Sequence, residues 1–350
     1  MDRDAALEKL SKLCLTNAEA LQASLSFCTE NGIGCFRINS RILPIKTHPE
    51  CGYEMSELPD VDEIVRRFKE CGEFAACQDI RTCFHPDQFV VLNSSRPDVV
   101  DRSIEEIEYQ CEVAEWVGAD VVNIHGGSAE GGKTAALERF ARNLDRLSDR
   151  ARSRLTVEND DVTYTPADLQ SLCNAQDIPL IYDVHHHRCN QDSYSVEEAT
   201  ELAIATWDRE PMFHISSPLE GWKGPKPRRH HDFISMEDFP QCWSQLSLTV
   251  EVEAKAKEVA VLKLMKQLAE EWSVYMLRCD DGSLYTGIAK NVERRFKQHN
   301  SGTASRYTRS RLPVKLVYQE HPTTKSEALK RELVIKAMSR TAKHALISSQ

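Results

Sequence analysis

Seven short apolar runs recur along the first 271 residues, and six of them finish in, or just before, a histidine, aspartate or glutamate. The runs fall at 34–39, 77–84, 120–125, 154–159, 178–183, 211–216 and 247–253. Between most of them lie longer stretches with apolar residues at helical spacing, as at 103–116, 133–148 and 196–206. Such alternation calls for a parallel sheet, because a crossover between parallel strands needs a helix-length connection. The sheet is either open or closed into a barrel, and the polar strand ends decide between the two. His85, His125, Glu158, Asp183, His214 and Glu253 close six different runs. A barrel gathers the C-terminal ends of all its strands at one mouth, whereas an open sheet concentrates its chemistry at one switch point beside a glycine-rich loop. No G-x-G-x-x-G occurs here. The expected fold is therefore α/β: a TIM-type (β/α)8 barrel with one strand unaccounted for.

Imidazole and carboxylate donors at one mouth suit zinc, manganese or iron, and thiolates are absent from the set. His186, three positions after Asp183, and His230 in R-R-H-H-D-F-I extend it. Eight donors exceed what one ion needs, so two or three ions are expected. Paired ions about 3.5–4 Å apart bind the attacking and leaving oxygens of an in-line phosphoryl displacement, which makes phosphodiester hydrolysis the natural chemistry. Any one of these histidines, taken alone, is more often a hydrogen-bonded core residue. Unpaired buried carboxylates cost several kcal/mol each without a cation, and that argues against coincidence across six strands. Strand alternation places Asp183 and His185 on one face of the D-V-H-H-H run, which by itself favours His185 over His186.

The 12 cysteines are scattered and form no Cys-x-x-Cys pair, so reduced thiols and a cytoplasmic location are expected. The N-terminus lacks the basic and apolar regions of a secretory signal, and no apolar stretch approaches membrane-spanning length. Charge is unevenly spread. Residues 272–350 hold 15 Lys+Arg against 6 Asp+Glu, or +9, and the remainder holds 29 against 48, or −19. This asymmetry and the end of a Lys- and Glu-rich helical stretch (253–271) place a domain boundary between 271 and 272, with the basic part a candidate for nucleic acid.

Motifs quoted in chain order sharpen the reading: H-P-D-Q-F-V-V-L-N-S (85–94), N-I-H-G-G (123–127), T-V-E-N-D-D (156–161), D-V-H-H (183–186), H-I-S-S (214–217), H-H-D-F-I (230–234) and V-E-A-K-A-K-E (252–258). Residues 10–258 resemble the UV damage endonuclease family, relatives of endonuclease IV. The resemblance implies a barrel holding two or three Mn2+ ions. It implies His85, His125 and Glu158 as ligands of one ion, Glu158 bridging to a second with Asp183, His214 and Glu253, and His186 and His230 on a third. It selects His186 over His185, leaving His185 and His187 as supporting or DNA-facing residues. It implies incision on the 5′ side of UV photoproducts in double-stranded DNA, with Gln88 and Phe89 probing the duplex. Phe89 stands where the family has tyrosine, and Met212 where it has a lysine, often carboxylated. The family's first strand is missing, because residues 4–11 look helical.

From Val274 the chain reads V-Y-M-L-R-C-D-D-G-S-L-Y-T-G, two strand patterns about a turn, followed by a helix with paired arginines. Residues 273–347 resemble the GIY-YIG nuclease domain, a small α+β fold. The resemblance implies Tyr275 and Tyr285 as the tyrosine pair, Arg295 against the phosphate, Glu332 holding a single Mg2+, and His299 assisting proton transfer. Arg306, Arg309 and Arg311 are expected to contact phosphates. The whole is expected to be a monomeric DNA repair endonuclease. The alternatives are an abasic-site endonuclease, a sugar isomerase-like barrel and a damage-binding protein without catalysis.

Overall fold

The computed structural model describes residues 2–269, 272–322 and 325–348. The chain divides into two compact units, 1–262 and 263–350. The expected boundary between 271 and 272 abuts residues 270 and 271, which lie outside the described residues.

The first unit runs α1 (Arg3–Asn31), β1 (Cys35–Ile38), α2 (Val61–Cys77), β2 (Arg81–Phe84), α3 (Pro97–Val117), β3 (Val121–His125), α4 (Lys133–Leu144), α5 (Asp149–Arg152) and β4 (Leu155–Glu158). It continues with α6 (Pro166–Gln176), β5 (Leu180–Asp183), α7 (Val184–Cys189), α8 (Val196–Ile204), β6 (Met212–Ile215), β7 (Thr249–Val252) and α9 (Glu258–Ala269), the last of which crosses into the second unit. The seven strands pair in chain order, all parallel. β4, β5 and β6 are buried along their whole length, as strands covered by helices on one face and a packed interior on the other must be. β1 and β7 are mostly half-buried and come together without ladder pairing among the described residues, so the barrel is nearly closed and short of one strand.

The N-terminal segment is helical. In α1 the buried residues Ser11, Cys14, Ala18, Leu21, Leu25 and Cys28 recur every three or four positions, the stripe of an amphipathic helix. Gly32, at φ 67°, ends it in the left-handed conformation that glycine adopts without penalty, and its N–H donates to the Cys28 and Thr29 carbonyls. Two expected spans are corrected. The second strand begins at Arg81, because residues 61–77 continue as α2. The last helix of the barrel begins at Glu258, not at 253, because Glu253 still extends β7, its N–H donating to the Ile215 carbonyl. Inside the barrel, Cys83, Val121, Ile181 and Met212 form an apolar floor. Among the described residues no helix is long and apolar enough to cross a membrane.

The second unit holds a three-stranded antiparallel sheet ordered β10 (Lys315–Glu320), β8 (Ser273–Arg278), β9 (Leu284–Ala289). Four helices follow in the chain: α10 (Val292–Asn300) and α11 (Arg306–Arg309) before β10, α12 (Lys325–Ala337) and α13 (Arg340–Ser348) after it. Alternation along the central strand gives it two cores. Val274 and Met276 pack with Tyr318, Ala328 and Ile335 on one face, while Tyr275 and Leu277 pack with Val292 and Val314 on the other.

Candidate active sites

Seven of the eight expected donors converge at the C-terminal mouth of the barrel in three groups, within each of which the donor atoms lie no more than 4.8 Å apart. These are His85–His125–Glu158, Glu158–Asp183–His186 and His85–His214–Glu253. Glu158 belongs to two of them and is fully buried at the end of β4. His214 Nδ1 lies 3.3 Å from Glu158 Oε1 and 3.5 Å from Glu253 Oε1, so it also faces the shared carboxylate. His230 stands at the rim, half-buried, its Nδ1 3.8 Å from Glu253 Oε2 and its ring 6.4 Å from that of His186.

The local fold explains the histidine run. β5 ends at Asp183, whose carboxylate accepts from the His186 N–H at 2.7 Å and caps α7. A helical turn brings residues three apart to one side. His186 therefore turns toward the site, with Nδ1 3.2 Å from Glu158 and 3.7 Å from Asp183. His185 belongs to none of the three donor groups and packs against Trp222 and His230. His187 is held between the Tyr182 hydroxyl at 2.8 Å and Asp192 at 3.0 Å. Both are buried, which corrects the DNA-facing alternative and leaves them a supporting place.

The glycines after His125 serve a close approach. A Cβ on Gly127, at φ 81°, would meet Asn93 Oδ1 at 2.5 Å, and one on Gly126 would meet the Tyr164 ring at 2.7 Å. Asn93 donates to the Gly126 and Ser128 carbonyls and accepts from the Ser128 N–H, tying this loop to the one after β2. In that second loop Gln88 and Phe89 are exposed.

Electrostatics at the mouth are strongly coupled. Burial pushes Glu158 toward protonation, but the nearby imidazoles of His214, His125 and His186 outweigh it, holding the carboxyl well below its usual range. Burial likewise disfavours charge on His186 and His214, yet Asp183 and Glu158 raise the first well above its ordinary value, and Glu158 and Glu251 raise the second. His125 is pushed down by burial. Several buried atoms find no hydrogen-bond partner: Glu158 Oε1, Asp183 Oδ2, His125 Nδ1 and both nitrogens of His214. Orphaned buried polar atoms are costly, and these face one another as imidazole nitrogens and carboxylate oxygens. That donor set fits divalent transition metals.

Three residues not foreseen from the sequence join the site. Asn123 donates to Glu158 Oε2 at 2.5 Å, Glu251 lies 3.1 Å from His214 Nε2, and Arg37 pairs with both Glu251 and Glu253. A signal was present: Asn123 and Glu251 stand two positions before His125 and Glu253, on the same strand face.

In the second unit, Tyr275 Oη and His299 Nε2 lie 2.9 Å apart, and His299 Nδ1 lies 2.7 Å from Thr308 Oγ1. The Tyr285 ring packs on His299 at 4.9 Å between centroids. Burial and Tyr285 push Tyr275 up to about 12 despite Arg295 beside it, and burial with Arg295 pushes His299 down to about 4. Gly287 is required where it stands, since a Cβ would meet the Tyr275 hydroxyl at 2.8 Å. Glu332 is half-buried and paired to Lys336 at 2.9 Å. Arg306 and Arg309 are exposed. Arg311, by contrast, donates to Asp281 at 2.9 Å and stacks over Tyr307.

Comparison with known proteins agrees with this architecture. Residues 1–278 match the family model described as UV-endonuclease UvdE, and residues 271–345 match the GIY-YIG catalytic domain. The UV DNA damage endonuclease of Halalkalibacterium halodurans is 33% identical over 281 residues, covering 77% of this chain and 85% of that protein. The crystal structure of SacUVDE superposes with a TM-score of 0.69 at 31% identity, covering 75% of this chain and 89% of that one. Endonuclease IV from Thermus thermophilus shares the fold, with a TM-score of 0.53 at 18% identity over 71% of this chain and 94% of that one. The chain therefore belongs to the UV-endonuclease UvdE family, carries a GIY-YIG catalytic domain C-terminal to its barrel in sequence, and is a UV-damage repair endonuclease.

Proposed function

We propose that the barrel cuts double-stranded DNA on the 5′ side of UV photoproducts, and that its mouth holds two or three divalent ions, Mn2+ in the first instance. The observation that carries the reading is Glu158: fully buried, shared between two donor groups, with one oxygen lacking any hydrogen-bond partner. His85, His125, Glu158, Asp183, His186, His214 and Glu253 would hold the ions, with His230 at the rim. The bound ions would supply Lewis-acid charge stabilisation and an activated water for in-line displacement at phosphorus. The chain's own part is orientation: Asn123 fixes Glu158, and Asn159 fixes Asp183 by donating to its carbonyl and accepting from its N–H. Gln88 and Phe89, both exposed, would insert at the distorted step, where an aromatic face stacks on any base.

In the GIY-YIG domain, Glu332 would hold one Mg2+ and Arg295 would face the phosphate with its planar fork. Thr308 Oγ1 donates to the Ser305 carbonyl, so it accepts from His299 Nδ1. His299 Nε2 is then free to accept from the Tyr275 hydroxyl, which makes His299 the positioning partner of that tyrosine. Arg306 and Arg309 would contact phosphates, and the enzyme would act as a monomer.

The test is incision of a 5′-end-labelled duplex carrying a single pyrimidine dimer, beside duplexes with an abasic site or no lesion. Glu158→Ala should lower cutting 5′ to the dimer by at least about 100-fold, beyond the 10–100-fold typical of outer-shell changes, while Glu332→Ala should spare it. Undiminished incision by Glu158→Ala would refute the barrel site. Preference for the abasic duplex would reassign the lesion.

A further inference from the structure

Across the gap between β1 and β7, where no ladder joins the strands among the described residues, a charged side chain spans the seam. Arg37, in the middle of β1, pairs through Nε with Glu251 and through Nη2 with Glu253, the latter at 2.5 Å. Glu251 in turn reaches His214 Nε2 at 3.1 Å, on the side of the ring away from Glu158. Arg37 is the ladder partner of Cys83, and Glu251 Oε2 lies 3.7 Å from Cys83 Sγ, so both charged groups stand beside the apolar floor. On β3, Asn123 holds Glu158.

We infer that Arg37 and Glu251 are positioning residues that do the work of the absent strand pairing while setting the directions of Glu253 and His214 toward the cluster. Three features support both roles at once. Arg37 links β1 to β7, so the seam is joined by ion pairs where, among the described residues, ladder hydrogen bonds are lacking. A planar guanidinium engages two carboxylates at fixed angles, which a lysine cannot do. A carboxylate behind a metal-binding histidine fixes ring orientation and raises ligand basicity, and Glu251 is placed for that role by its ion pair with His214 Nε2. The inference rests on the metal reading proposed above.

The test titrates Mn2+ alone into the metal-free full-length protein by calorimetry and follows thermal unfolding of the same samples. Glu251→Gln should weaken Mn2+ binding by about 10–100-fold. Arg37→Gln leaves two half-buried carboxylates without their cation and should lower the melting temperature most. The double variant Arg37→Gln/Glu251→Gln should regain melting temperature relative to Arg37→Gln, yet retain the weakened binding. Wild-type Mn2+ affinity in a folded Glu251→Gln or double variant would overturn the inference while leaving the cluster standing. If neither of those variants folds, the pair is purely structural and the inference also falls. If the wild-type chain binds no Mn2+, the cluster reading itself fails.

Discussion

Phe89 is 74% exposed at the tip of a loop, a place where a large aromatic ring gains nothing for folding. Truncating it should leave stability within about 0.5 kcal/mol, as for other surface sites. Stacking on a base is worth about 1–3 kcal/mol, so Phe89→Ala should weaken binding to a dimer-containing duplex by roughly 5–150-fold. Fluorescence anisotropy at fixed salt would measure this, and an unchanged dissociation constant would remove Phe89 from the DNA interface. The histidine run shows the opposite case. Only His186 turns to the cluster, whereas His187 spends both ring nitrogens on Tyr182 and Asp192.

At the scale of elements, β8 and α10 are joined by the Tyr275–His299–Thr308 chain. His299 sits at about 4 against an ordinary 6.5, pushed down by burial and by Arg295. The unfolded chain therefore takes up the proton first as pH falls. The stability His299 contributes is whole above about 6.5 and is lost as pH drops toward and through 4. Unfolding of the GIY-YIG unit, followed by scanning calorimetry, should move to lower temperature across that window, and His299→Gln should flatten the dependence. An equally steep dependence in the variant would mean that other groups set it. In the barrel, the comparable element-level fact is that α7 begins directly after the residue that ends β5, which converts an Asp-x-x-His spacing into one shared side.

For the whole molecule, the contrast between a −19 barrel part (1–271) and a +9 C-terminal part (272–350) leads us to propose that the latter supplies non-specific affinity for DNA. Each phosphate contact removed should reduce the slope of log affinity against log salt by about 0.9. Arg306→Ala and Arg309→Ala should each do so equally on damaged and undamaged duplex, read from binding isotherms at several salt concentrations. Arg311→Ala should change the slope less, because Arg311 is already bound to Asp281 and stacked on Tyr307. A larger effect from Arg311 than from Arg306 would reverse that assignment.

The linear chain by itself determined the class of fold and most of the candidate donors. Parallel strands require helical crossovers, and a barrel turns strand ends into neighbours, so His85, His125, Glu158, Asp183, His214 and Glu253 could be read as one set from their places at the ends of six of the seven runs. What the tertiary structure decided is which of them share an oxygen, which histidine of D-V-H-H-H turns inward, and what lies behind them. Asn123, Glu251 and Arg37 escaped notice because their importance depends on partners 35, 37 and more than 200 positions away along the chain. Sequence periodicity reports the face of a strand. Only closure of the barrel brings β1 against β7 and makes an arginine in one the counter-charge of two glutamates at the other.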